Sequence, residues 1–166
     1  LLGHIVSAWT IRPDPVKLSA FHSMSKPRTG KELQRLLGVV GYLRDYIPCY
    51  AQLTACLEMI KNTKRSLDKV WQQCHTDAID NLKKVLASKP FLSRPDWDKE
   101  FCIGTDASNY GIGGVLYQED ENGCKRYISL MSRSLSRSQR NYPATKKELL
   151  AIVKSLQYFR EWIWGR

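Results

Sequence analysis

Two carboxylates stand where a metal ion could be held. Asp106 closes the apolar run Phe101 to Asp106, and Glu148 lies in the first turn of an amphipathic segment near the end of the 166-residue chain. Paired carboxylates are hard oxygen ligands suited to Mg²⁺. Two such ions can activate water and stabilise the leaving oxygen in phosphodiester cleavage, with about four such ligands between them. Each acid also has a plainer role open to it. Asp106, followed by Ala107-Ser108-Asn109, can form an Asx-turn. Thr145-Lys146-Lys147-Glu148 has the pattern of a capping box, in which Glu148 would only satisfy a helix N-terminus. Spacing alone leaves these alternatives open. Gly111, Gly113 and Gly114 do not match a nucleotide-binding loop, because no helix follows them. They read as places where a backbone or ligand comes close to a strand.

Charge points to a polyanion. The formal net charge is +10. Residues 1–96 hold 15 Lys/Arg against 8 Asp/Glu, and residues 97–166 hold 11 against 8, so both halves are basic. Nucleic acid is the commonest partner for such a chain. Between Lys125 and Lys147 lie seven cations and no acid: Lys125, Arg126, Arg133, Arg137, Arg140, Lys146 and Lys147. Interleaved with Ser132, Ser134, Ser136, Ser138 and Tyr142, they can contact a phosphate backbone; the alternative is a solvated face. The loop carrying Lys61, Lys64, Arg65 and Lys69 is a weaker candidate of the same kind.

The five cysteines are odd in number and contain no C-x-x-C pair, and the three histidines are scattered. A disulfide framework or structural zinc site is therefore not expected, and the thiols read as reduced and intracellular, in a cytoplasmic particle or the nucleus. No apolar run approaches the roughly 20 residues that span a bilayer, so no membrane partner is expected. The chain opens "LLGHIV", without a Met, and reads as a piece of something longer.

These residues must be positioned by a fold of the α/β (α+β) class. Leu2 to Ser7 and Trp9 to Arg12 read as a β-hairpin ended by Pro13 and Pro15. Val16 to Met24 reads as a short helix. Thr29-Gly30-Lys31-Glu32 is a capping box opening a helix with Leu33, Leu36, Leu37, Val40 and Leu43 on one face, up to Ile47 and Pro48. Gly38 and Gly41 cost that helix about 1 kcal/mol each, which predicts another backbone packed against them. Helices follow over Gln52 to Lys61 and Trp71 to Leu86, separated by a basic loop. After the connection "SKPFLSRPDWDKE" the pattern changes to strands over Phe101 to Asp106, Gly111 to Gln118 and Lys125 to Met131, the last two forming a hairpin. A polar loop, "SRSLSRSQRNYP", precedes the final helix, where Leu149, Ile152, Val153, Leu156, Phe159 and Ile163 are expected to form the buried stripe.

"TDASNYGIGGVLYQ" and "LSRSQRNYPATKKELLAIVKSLQYFREWIWGR" resemble the ribonuclease H domain of gypsy-type LTR retrotransposon polyproteins. "LLGHIVSAWTIRPDPVKLSA" resembles the primer-grip hairpin that ends the reverse-transcriptase palm, "PRTGKELQRLLGVVGYLRDYIP" the helical thumb, and "VWQQCHTDAIDNLKKVLASKPFL" the connection. The resemblance implies residues 1–15 as the end of the palm, 16–96 as thumb and connection, and 97–166 as the N-terminal part of a truncated ribonuclease H-like domain. It implies Asp106 and Glu148 as catalytic, metal-binding carboxylates for Mg²⁺ or Mn²⁺. It places Leu2, Gly3 and His4 in the primer grip, and Gly38, Gly41 and Tyr42 on a helix tracking a template–primer duplex. Ser108 and Tyr110 would flank the metal site, and Arg133, Arg137, Arg140 and Tyr142 would lie near the face that takes an RNA–DNA hybrid.

The family's polymerase carboxylates and its other two ribonuclease H carboxylates have no counterpart in these residues, and Lys146 stands where the family often has a Glu. The expectation is a fragment inactive by itself, whose parent performs RNA-directed DNA synthesis and Mg²⁺-dependent hydrolysis of RNA in hybrids. The family's fourth strand is likewise unmatched. Residues 101–105 should then form an open sheet edge, prone to self-association, with part of the last helix uncovered. The alternative is a non-catalytic module that binds nucleic acid or protein, and a third reading is a decayed or arbitrarily cut frame.

Overall fold

The structure, a computed structural model, describes residues 4–88 and 91–165. The chain is mixed α and β, with a helical half followed by a three-stranded sheet and further helices. The hairpin β1 (His4–Val6) and β2 (Thr10–Pro13) pairs antiparallel, with His4 opposite Pro13. The connection reads in sequence as irregular, but its residues β3 (Leu92–Ser93) add a third strand beside β2. Pro15 does more than end the hairpin. It is the first residue of α1 (Pro15–His22), where its missing N–H costs nothing, and the Asp14 carboxylate accepts from Val16 N at 2.9 Å.

α2 (Gly30–Tyr42) opens as its sequence predicts, with Thr29 Oγ1 accepting from Glu32 N at 3.2 Å. The Glu32 carboxylate reaches one residue further back than a capping box requires, to Arg28 N at 2.8 Å. That bond holds Glu32 below the usual carboxylate range. The helix stops at Tyr42, short of Pro48, and residues 44–46 form a tighter turn that buries Tyr46 and Ile47. The predicted backbone contact at Gly38 and Gly41 is not found. A Cβ on Gly38 would meet nothing within 4 Å, and one on Gly41 would meet only the Tyr50 hydroxyl at 3.5 Å. Close approach occurs instead at Gly30, where a Cβ would lie 2.6 Å from Thr63 O and 2.8 Å from Lys61 O. The chain leaving α3 (Tyr50–Ile60) runs past that point. With α4 (Gln73–Ala87), these helices enclose one core that includes Phe21, Leu33, Leu36, Leu57, Leu82 and Leu86.

A second core lies under the sheet of β4 (Cys102–Ala107), β5 (Gly111–Glu119) and β6 (Lys125–Ser134), ordered β4-β5-β6. The turn from β5 to β6 is held by Asp120 Oδ1, which accepts from Asn122 N at 3.0 Å and Cys124 N at 2.9 Å. Buried Gln118 orders the residues before the sheet by donating to Asp96 O at 2.7 Å and Lys99 O at 3.1 Å, and accepting from Asp96 N at 2.9 Å. Part of the expected polar loop folds into α5 (Arg137–Arg140), because Ser136 and Gln139 make a reciprocal capping box.

The final helix departs most from its predicted face. It is α6 (Ala144–Tyr158), broken at Phe159 before α7 (Arg160–Ile163). Phe159 is fully buried and Ile163 packs on the core, but Leu149, Ile152, Val153 and Leu156 are 58%, 43%, 47% and 46% exposed. The buried face is Lys147, Ala151 and Ser155, at i, i+4, i+8. It is small because it lies against β5 at a glycine. A Cβ on Gly114 would run into Ser155 Oγ and lie 3.0 Å from Ser155 Cβ. Large side chains cannot fit there, so they are turned outward. As expected, β4 is an edge strand of its sheet. Among the described residues no helix is long and apolar enough to cross a membrane.

Candidate metal and nucleic-acid site

Asp106 sits near the end of β4, opposite Gly113, which is itself opposite Ser132 on β6. Directly opposed residues share a face of the sheet. The start of α3 covers this row. Ser132 Oγ accepts from Ala51 N at 2.8 Å, and Gln52 Nε2 approaches Asp106 Oδ2 at 3.5 Å, a long contact. A Cβ on Gly113 would meet Cys49 Sγ at 3.5 Å, and one on Gly111 would meet Ala51 Cβ at 3.1 Å. The three glycines therefore admit protein on both faces, α3 on one and α6 on the other. Burial, and then the Asp106 charge, push the Cys49 thiol up. The five cysteines are free thiols.

The turn between β4 and β5 is built by Ser108, not by Asp106. Ser108 N donates to Gly111 O at 2.8 Å, and its hydroxyl accepts from Tyr110 N at 3.2 Å and Gly111 N at 3.1 Å. The Asx-turn role open to Asp106 is thus taken by another residue. Glu148 does not serve as a cap either, because Pro143 is the N-cap of α6 and no side chain caps that end. Glu148 is exposed in the second turn. Its neighbour Lys147 is buried and donates to Asn109 Oδ1 at 2.8 Å. That bond ties the start of α6 to the β4–β5 turn, so Asp106 and Glu148 lie at the same end of the sheet, reached from its two faces. Two exposed carboxylates suit Mg²⁺ in donor chemistry and fall short of a two-metal site in number. Among the described residues no three or more His, Cys, Asp or Glu side chains cluster to hold a metal.

The basic segment divides by role. Lys147 is structural, Arg126 lies 3.7 Å from Asp120, and Lys125 stands 4.6 Å over the Tyr117 ring. Arg140 Nε donates to Leu135 O at 3.3 Å while Lys146 covers the Tyr142 ring at 4.1 Å. Leu135 N donates to Tyr110 O at 2.9 Å, which brings this segment against the β4–β5 turn. Arg137, Arg140 and Lys146 are exposed on the segment that this bond ties to the β4–β5 turn. Arg133 lies on β6 opposite Ile112 and is exposed.

The other expected contact surface is partly described. Leu2 and Gly3 lie outside the described residues. The His4 ring stacks on Tyr42 with centroids 5.7 Å apart, and its Nδ1 is hydrogen-bonded to the Tyr46 hydroxyl at 2.7 Å. Burial, with Asp45 and Tyr42 beside it, pushes Tyr46 up to about 12. The hairpin and the end of α2 are thus joined where Gly38 leaves the helix surface open. Sequence reasoning passed over Gln52 and Tyr46, and counted Lys147 among the cations that can contact phosphate rather than as a structural residue. Lys147 carried the one usable signal, since it falls four residues before Ala151 and eight before Ser155 on the small-residue face.

Residues 71–166 match the family described as the RNase H-like domain found in reverse transcriptase, a span that begins ahead of α4. The chain belongs to this family. It is 41% identical to the retrovirus-related Pol polyprotein from transposon 297 of Drosophila melanogaster, covering 99% of this chain and 15% of that protein. Against the Pol polyprotein from transposon opus of the same organism the identity is 37%, over 99% and 17%. Against the transposon Tf2-3 polyprotein of Schizosaccharomyces pombe it is 33%, over 98% and 12%. The chain is therefore homologous to a segment spanning less than a fifth of these relatives. Among solved structures, the foamy viral protease-reverse transcriptase in complex with dsDNA matches at TM-score 0.72 and 17% identity, over 98% of this chain and 35% of that one. The same protein in complex with RNA/DNA hybrid matches at 0.71 and 18%, over 99% and 23%. At these identities the likeness is one of fold.

Proposed function

We propose that this chain is the palm-end, thumb and ribonuclease H-like segment of a retrotransposon reverse transcriptase, divided at 1–15, 16–96 and 97–166. Its sheet end takes an RNA–DNA hybrid or template–primer duplex. Asp106 and Glu148 are the carboxylates that would hold Mg²⁺ or Mn²⁺ for hydrolysis of the RNA strand, and when bound such ions supply water activation and leaving-oxygen stabilisation. The polypeptide of these 166 residues binds without cleaving, since it carries half of the ligands a two-metal site uses. The observation that carries the reading is the Lys147–Asn109 bond, which ties the start of α6 to the turn that follows Asp106; exposed Arg137, Arg140 and Lys146 lie on the segment between β6 and that helix. That foamy viral reverse transcriptase is known with dsDNA and with hybrid supports the choice of partner. The test is equilibrium binding of a labelled hybrid across a salt series. We expect log K to fall linearly with log salt, as release of phosphate counterions requires. Affinity that is absent at low salt, or flat with salt, would count against the reading.

A second reading, self-association, is favoured by one feature. The exposed face of Leu149, Ile152, Val153 and Leu156 lies on the helix that packs on the open-edged strand β4. Apolar faces and unpaired edges both invite a partner. Sedimentation over a concentration series should show a reversible dimer that Val153→Lys with Leu156→Lys removes. A monomer at every concentration would exclude it.

A further inference from the structure

A cleft of about 610 Å³ opens at the free edge of β6, where the helical half and the sheet half meet. Three cations from three elements line it: Arg44 from the turn after α2, Arg133 from β6 and Lys154 from α6. No carboxylate lines it among the described residues, and none of the three forms an ion pair there. Neutral donors complete the wall, with Ser134, Gln157 and Tyr158 among them.

Two of the three cations are held by neighbouring groups. Arg44 Nη2 donates to Ser132 O at 2.9 Å, and its guanidinium lies 5.8 Å over the Tyr50 ring. Lys154 Nζ donates to Gln157 Oε1 at 2.8 Å. A guanidinium fixed by one carbonyl keeps further N–H donors, and its planar fork suits phosphate oxygens. Asp45 is a carboxylate whose charge is felt at the wall, through Tyr158. Burial and the Asp45 carboxylate raise the Tyr158 phenol, with Arg44 acting against them, so Tyr158 remains a neutral donor at physiological pH. Three lining cations with no lining carboxylate leave the cleft positive. Arg133, which the resemblance implies near the hybrid-binding face, lines a wall shared with Arg44 and Lys154.

We propose that this cleft is a phosphate-binding site, apart from the Asp106–Glu148 end of the sheet, with Arg44, Arg133 and Lys154 holding the phosphate oxygens. The phosphate can belong to a nucleic-acid strand or be free inorganic phosphate. The cleft stands on its own geometry and does not require the hybrid-binding reading above.

The test has two arms on the full 166-residue polypeptide. In the first, inorganic phosphate is titrated at constant ionic strength while the amide resonances of Ser132, Ser134 and Gln157 are followed. Saturable shifts are expected, and Lys154→Gln with Arg133→Gln should abolish them while leaving the thermal midpoint unchanged. Both side chains reach solvent, so the variant keeps its fold. Absent shifts, or shifts that persist in the variant, overturn the proposal. In the second arm, Lys154→Gln is measured against labelled duplex across salt. A salt slope smaller by about one unit, the change expected when one phosphate is no longer neutralised, assigns the site to a nucleic-acid strand. An unchanged slope beside phosphate shifts in the first arm assigns it to free phosphate. Failure of wild-type duplex binding removes the functional reading above and leaves the phosphate arm to decide the cleft.

Discussion

Gly114→Val is expected to destabilise the protein by about 3 kcal/mol or to prevent folding, the upper range for forcing extra atoms into a packed interior. The first added carbon would collide with Ser155 Oγ and come within 3.3 Å of Met131 Cε, and neither α6 nor β6 can withdraw without opening the second core. The partner residue makes the argument specific. Ser155 is fully buried, and among the described residues its hydroxyl has no hydrogen-bond partner. Removing a buried unsatisfied hydroxyl is neutral or stabilising, so Ser155→Ala should leave the urea midpoint unchanged or raise it. Ser155→Gly costs about 1 kcal/mol as a helix-interior glycine, yet it should recover a substantial part of the stability that Gly114→Ala removes. Equal effects of Gly114→Ala in both backgrounds would show that the contact is not what limits the site. The consequence reaches function because Glu148 lies two turns before Ser155. The Gly114–Ser155 contact sets how closely α6 lies on β5, and with it the position of Glu148 at the sheet end.

Replacing Arg137, Arg140 and Lys146 together by Gln should lower hybrid affinity strongly and reduce the salt slope by about three units, near one for each phosphate these cations would neutralise. The weakening should be similar across sequences, because phosphate contacts position a duplex without reading its bases. Lys147→Gln is the informative contrast. Lys147 is a cation in the same run, but its ammonium is buried against Asn109. Its replacement should lower the thermal midpoint and disturb the β4–β5 turn, while leaving the salt slope nearly intact. If Lys147→Gln changed the slope as the exposed cations do, the division of this segment into structural and contacting residues would be wrong.

Much of this arrangement is legible in the sequence, and the exceptions share a cause. The strands at 101–131 alternate as half-buried strands do, and the helices over 30–42 and 73–87 show a clear apolar face, so their types follow from periodicity. Asp106 and Glu148 stand out because each follows or opens an element. The α6 face misleads because hydrophobicity identifies the large apolar stripe, whereas a helix laid against glycines buries its smallest residues. Ala151 and Ser155 carry little hydrophobic signal, and only Gly114 on another strand explains them. Gly38 misleads in the opposite sense. It costs the helix stability with nothing packed on it, while Gly30, at a helix start where glycine looks unremarkable, is where another backbone passes. Residues that act across long separations leave no local trace at all. His4 with Tyr46, and Arg44 with Ser132, are 42 and 88 positions apart.

We propose a hybrid-binding segment that carries half of a metal site. Its most direct test is incubation of the 166-residue polypeptide, at concentrations that saturate a labelled RNA–DNA hybrid, with Mg²⁺ or Mn²⁺, followed by resolution of the RNA strand. The RNA is predicted to remain intact while the hybrid is bound. Cleavage that Asp106→Asn abolishes would contradict the claim.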